Sequence, residues 1–231
     1  MKINRVTFTG VDDNTSIEQL VSISKAHPIV EWGILYSQTA QGYKSRYPSV
    51  VGPVIKAAMG RDVFDECKLA LHVCGSSVWN LLAKQTFETG LLNGLAQGNE
   101  LRVQLNLSRH LDDTEYAALE SLISTYDNVQ FIRQVRDGDA GTFGTAILFD
   151  GSAGTGKVPD AWPDYPNTMH YVGYAGGLGP DNLAHELDRI AEVVGNISIW
   201  IDMESNVRTD DLFDLDKCLR CLEIVESSKY V

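Results

Sequence analysis

Strand signals recur along the chain and alternate with amphipathic helix signals; one of them, the apolar run Thr145–Asp150, is too brief for a helix of ordinary length and too continuous for a strand with one wet face. That alternation is the pattern of βα units around a parallel sheet. The strand signals are Val6–Thr9, Val30–Tyr36, Lys68–Cys74, Arg102–Leu107, Val129–Val135, Thr145–Asp150, His170–Tyr174 and Ile197–Ile201. Between them, Ser16 caps the stripe Ile17, Leu20, Val21 and Ile23. Asp112 to Glu115 opens a helix carrying Tyr116, Leu119, Leu122 and Ile123. Leu183, Leu187, Ile190 and Val194 form the clearest stripe, and Leu215 to Val225 makes a last helix.

Eight strand signals in 231 residues predict an α/β chain folded as one closed (β/α)8 TIM barrel, a single domain over residues 1–231. An open doubly wound sheet is the weaker alternative, because its glycine signature belongs after the first strand, where only Gly10 stands. Val50 to Ala58 reads as a helix. Trp79 to Ala83 begins another, whose far half Gly90, Gly94 and Gly98 are expected to make irregular. Arg136 to Gly144 is too short for a full crossover helix, and Pro159, Pro163 and Pro166 follow the next strand. Abbreviated helices are therefore expected around strands five and six.

The formal net charge of -12 argues against nucleic acid and anionic membrane as partners, since both are held by clustered Lys and Arg. No apolar run is long enough to span a bilayer, and the N-terminus lacks the apolar core of a signal peptide. Four cysteines, Cys67, Cys74, Cys218 and Cys221, fit a reducing compartment, the cytoplasm. Cys218 and Cys221 form a C-x-x-C pair inside an amphipathic helix and read as core residues. A homodimer is left open.

Chemistry concentrates at Thr145 to Lys157. A buried strand delivers Asp150 to a rim, and Gly151, Gly154 and Gly156 let the following backbone turn its amides toward an anion. In a barrel all strands end at one face, so Thr9, Ser37, Cys74, Ser108, Asp150, Gly176 and Ser205 should ring one mouth. The late loops Gly154-Thr155-Gly156, Gly176-Gly177 and Ser205-Asn206 would cradle a phosphate there. His72 is read as out of step with Cys74 and is expected to point away from the barrel axis. No ligand set for a metal is recognisable, and none is expected.

The chain resembles phosphoribosylanthranilate isomerase, the tryptophan-pathway barrel, along most of its length at low similarity. The motifs are Thr7 to Gly10, Lys44 to Tyr47, Leu148 to Asp150 with Gly154 to Lys157, Ala175 to Asn182, and Asp202 to Val207. The resemblance implies a cofactor-free Amadori rearrangement of a phosphorylated ribose-amine, an aldose-to-ketose isomerisation. It gives the position of Asp150 to the general acid and that of Thr9 to a cysteine general base; the late loops hold the phosphate. A threonine hydroxyl is far too weak an acid to stand in for the thiol, so Cys74, Asp12, Asp13, His72 and Glu204 remain as other bases. Glu204 replaces a serine and adds negative charge, which Arg208 or Lys157 would offset. Arg46 and Arg208 are expected at the substrate, Arg46 on an acidic group. The small phosphorylated metabolite is then isomerised or, with the base lost, bound without turnover.

Overall fold

The structure, a computed structural model, describes residues 1–49, 66–96, 101–136, 145–152, 155–166 and 170–231. The expected helix from Val50 to Ala58 lies outside the described residues, as do Gly98 and most of the connection between strands five and six.

Eight parallel strands close into a barrel: β1 (Lys2–Thr9), β2 (Val30–Tyr36), β3 (Lys68–Val73), β4 (Leu101–Leu105), β5 (Val129–Val135), β6 (Ala146–Asp150), β7 (Val172–Ala175) and β8 (Ser198–Met203). β8 returns to β1, with Thr7 opposite Asp202 and Phe8 opposite Met203. The helices are α1 (Ile17–Ala26), α2 (Ser76–Leu82), α3 (Thr86–Leu95), α4 (Asp113–Thr125), α5 (Leu183–Val194) and α6 (Leu215–Glu226).

The caps lie where the polar residues sit. Ser16 accepts from the Gln19 amide, and Asp112 with Glu115 completes a reciprocal capping box. The second helical region differs from expectation, since it breaks at Lys84, which has a φ of 55°, rather than at glycines. Gly90 instead lies inside α3, where nothing lies within 4 Å of the side chain it lacks. Between β6 and β7 no helix occurs among the described residues, as the prolines require.

Most of the apolar core lies between barrel and helices. On α5, Leu183, Leu187, Ile190 and Val194 are all buried there, each worth about 1.5–3 kcal/mol on transfer from water. The barrel interior is different in kind. Gly173 leaves space that the Trp200 ring fills, and the Arg102 guanidinium lies 4.1 Å from that ring. Glu31, wholly buried, receives Arg102, Arg5 and Thr7, each at 2.8 Å. Burial pushes the Glu31 carboxyl up, but Arg102 and Arg5 overcome this and hold it below its ordinary value. This ionic floor supports the polar layer at the strand ends.

Candidate active site

β6 ends at Asp150, and both carboxylate oxygens are engaged by neighbours. Oδ1 accepts from the Ser152 amide at 3.0 Å and the Ser152 hydroxyl at 2.7 Å; Oδ2 accepts from Gln134 Nε2 at 2.5 Å. Gln134 comes from β5 and Ser152 from the turn after β6, so the carboxylate is gripped from two elements. It lines a solvent-open cavity at the mouth, together with Thr9, His72, Gln104, Asp202 and Glu204.

Thr9, His72 and Asp202, from β1, β3 and β8, meet beside this cavity. The Thr9 hydroxyl donates to Asp202 Oδ1 at 2.9 Å and lies 3.4 Å from His72 Nε2, which is 3.7 Å from Asp202 Oδ2. A hydroxyl that donates a hydrogen bond to a carboxyl group orients that group and is no base. His72 corrects the expectation that it points outward: residues 72 and 74 are two apart and share a face of the strand. Gly33, opposite Thr9 on β2, leaves the space Thr9 Oγ1 needs.

Burial sets the protonation of this group. It raises the Asp202 carboxyl well above its ordinary value; Glu204, Glu31 and Asp150 push the same way, and only the Thr9 hydrogen bond opposes them. His72 is driven down to about 4, chiefly by desolvation. Cys74 is pushed up to about 12 by its burial, and its Sγ accepts from Asn106 Nδ2 at 3.1 Å. A thiol so placed is not a base at neutral pH.

The late loops converge on one rim. Gly156, Gly176, Gly177 and Ser205 all line the cavity. Gly156 packs so close to the 3-10 turn Ser205–Val207 that an added Cβ would stand 2.9 Å from Ser205 Cβ. Gly177 has a φ of +65°, and a side chain there would overlap the backbone of Lys157 and Val158. Asn206 does not line this cavity; its Nδ2 donates to the Gly177 carbonyl at 2.6 Å and ties loop to loop. Thr155 is exposed and bonds within its own turn to the Ser152 carbonyl at 2.7 Å. Gly154 lies outside the described residues.

Neither arginine expected at the substrate reaches the cavity. Arg208 is buried and fully committed: NH1 to the Gly10 carbonyl at 2.6 Å, NH2 to Asp12 Oδ2 at 2.9 Å and to the Asp211 carbonyl at 2.6 Å. It anchors the small hairpin of β9 (Arg208–Thr209) and β10 (Leu212–Phe213) to the loop after β1. Arg46 bonds Glu204 Oε1 at 2.7 Å and Asp211 Oδ1 at 2.6 Å. It is Arg46, therefore, and not Arg208 or Lys157, that bonds Glu204. Desolvation still leaves the Glu204 carboxyl above its usual range.

No protein-family model matches the sequence, and neither does any curated protein. Solved structures do match. Phosphoribosyl anthranilate isomerase from Thermococcus kodakaraensis gives a TM-score of 0.56 at 12% identity, over 97% of this chain and 100% of that one. N-(5'-phosphoribosyl)anthranilate isomerase from Pyrococcus furiosus gives 0.52 at 14%, over 97% and 99%. The likeness is one of fold.

Several site residues escaped the sequence reading. Gln104 on β4 and Gln134 on β5 are polar side chains buried in strands covered on both faces, a combination that itself marks inward positions at a mouth. Asp202 stood in a quoted motif, but nothing local pairs it with Thr9, 193 residues away. No group of three or more His, Cys, Asp or Glu side chains arranged to hold a metal occurs among the described residues. Nor does any described helix have the length and apolarity to cross a membrane.

Proposed function

We propose that this barrel is an acid/base enzyme, similar in kind to phosphoribosylanthranilate isomerase, that isomerises a small phosphorylated sugar-derived compound from aldose to ketose. The observation that carries the reading is the meeting of two unlike aspartates at one cavity whose rim is glycine backbone. Asp202 is buried, where desolvation favours its protonated form, and is aimed by Thr9; Asp150 has both oxygens arranged as acceptors. Two carboxyl groups in such different surroundings divide naturally into donor and acceptor.

Asp202 gives its proton to the ring oxygen as the ring C–O bond opens. Asp150 then takes the proton from C2 and returns it at C1, while the proton of the C2 hydroxyl passes to Asp202 as the ketone forms, which restores both carboxyl groups and completes a redox-neutral shift. This reverses the role that the resemblance implied for Asp150 and supplies a proton carrier where Thr9 cannot be one. Backbone amides of Gly156, Gly176 and Gly177, which carry no hydrogen bond among the described residues, hold the phosphate at contact range.

The test is wash-in of solvent deuterium at C2 of aldose phosphates, followed by NMR. Exchange should be seen with the native chain and fall at least about a hundredfold in Asp202→Asn and in Asp150→Asn, both still folded. Phosphate-ester binding without exchange would favour the non-catalytic barrel, for which the loss of a base at Thr9 speaks.

A further inference from the structure

The cavity is short of positive charge. Among the described residues its wall carries the carboxyl groups of Asp150, Asp202 and Glu204 and no Lys or Arg side chain. Both nearby arginines are spent on other carboxylates and carbonyls, Arg46 on Glu204 and Asp211, Arg208 on Asp12, Gly10 and Asp211. The rest of the polar wall is hydroxyl, amide and an imidazole that burial disfavours as a cation: Thr9, Ser152, Ser205, Gln104, Asn106, Gln134 and His72.

A second observation is independent of that acidic cluster. Gln104 is 3% exposed and lines the cavity, yet its Oε1 has no hydrogen-bond partner among the described residues. Gln104 is held in place through Nε2, which donates to Asn106 Oδ1 at 2.8 Å, so its oxygen is the atom left over. A buried oxygen without a donor is costly, and a ligand that brings N–H groups removes the cost.

We infer that the substrate carries a basic nitrogen, protonated in water, which lies against this acidic wall, and that Glu204 selects for it. The inference rests on the glycine loops being a phosphate grip and narrows the substrate class to phosphorylated amino sugars. Glu204 sets the charge preference in two ways. It occupies the guanidinium of Arg46, which would otherwise welcome a substrate carboxylate, and it presents its own charge to the cavity. A carboxylate in that place would meet Asp150 and Glu204 and no available cation.

Calorimetry at neutral pH with four probes tests this: glucosamine 6-phosphate, glucose 6-phosphate, glucosamine and inorganic phosphate. The amino ester should bind about tenfold tighter than its hydroxyl counterpart, as expected for one charge pair in a partly wet site. Glu204→Gln should remove most of that preference while changing inorganic phosphate affinity less than about twofold, and Arg46→Met, which unpairs Glu204, should increase it. Equal binding of the two esters, no binding of either amine, or a Glu204→Gln loss shared by inorganic phosphate would overturn the inference. Failure of the phosphate grip has a separate signature: glucosamine would bind as well as its 6-phosphate and inorganic phosphate would not compete, with the amine preference intact.

Discussion

Asp202 and His72 are ionisable groups placed where ionisation is opposed, and each therefore leaves a mark on stability. His72 has its pKa lowered from 6.5 to about 4, so between those values the unfolded chain binds more protons and stability falls as pH drops through the window. The full effect is on the order of 3 kcal/mol. Asp202 and Glu204 act in the opposite sense, because their raised values make the native state keep protons that the unfolded chain releases. Their cost grows as pH rises from the ordinary carboxylate range through the raised values. Between about pH 4 and 6.5 these slopes oppose each other, and above that window only the carboxyl cost remains, so the melting temperature should fall as pH rises through neutrality. His72→Gln should steepen the change between about pH 4 and 6.5, and Asp202→Asn should raise the melting temperature above neutrality even as exchange falls. Thermal melts of the three proteins across pH decide this; profiles that neither substitution changes would mean that neither group is buried as described.

At the level of elements, the site depends on strands that leave room for each other. Gly33 on β2 stands opposite Thr9 on β1, and a methyl group there would overlap Thr9 Oγ1 and lie 2.9 Å from Thr9 Cα. Gly33→Ala should cost about 1–3 kcal/mol and misdirect Asp202, so that exchange falls more than phosphate binding does. Gly177→Ala should do the reverse. Its Cβ would force the loop after β7 away from Lys157 and Val158, weakening inorganic phosphate binding about tenfold or more while Thr9 and Asp202 keep their bond. The strands themselves were legible because each is buried on both faces: Val30–Tyr36 and Val129–Val135 fall on the residues read from the sequence. The break at Lys84 was not, since the residue that takes the left-handed conformation there is not a glycine. Glycines misled in the same region, where Gly90 is tolerated within a helix.

For the molecule as a whole, the closed barrel could be inferred from the alternation of elements, and with it the gathering of late loops at one rim. What spacing could not reveal was which arginine serves structure. Arg208 and Arg46 each sit near a motif, but their partners Asp12, Glu204 and Asp211 come from loops that only closure brings together. The net charge of -12 has its own consequence. It repels phosphorylated ligands at a distance, while the proposed amide cradle would attract them only at contact. The association rate of a phosphate ester should therefore rise with added salt from about 10 to 150 mM, where the Debye length shrinks from roughly 30 to 8 Å. Stopped-flow binding at fixed pH measures it; a rate that falls with salt would place a positive field at the mouth.

Thr9 and Asp202 stand 193 residues apart and meet because the eighth strand closes on the first. During synthesis the first strand must wait, one edge unpaired, until nearly all of the polypeptide has left the ribosome. The pairing of Thr9 with Asp202 is thus the last part of the wall to form, and a nascent chain stalled ahead of its eighth strand should lack the proposed proton transfer however much of the wall is in place.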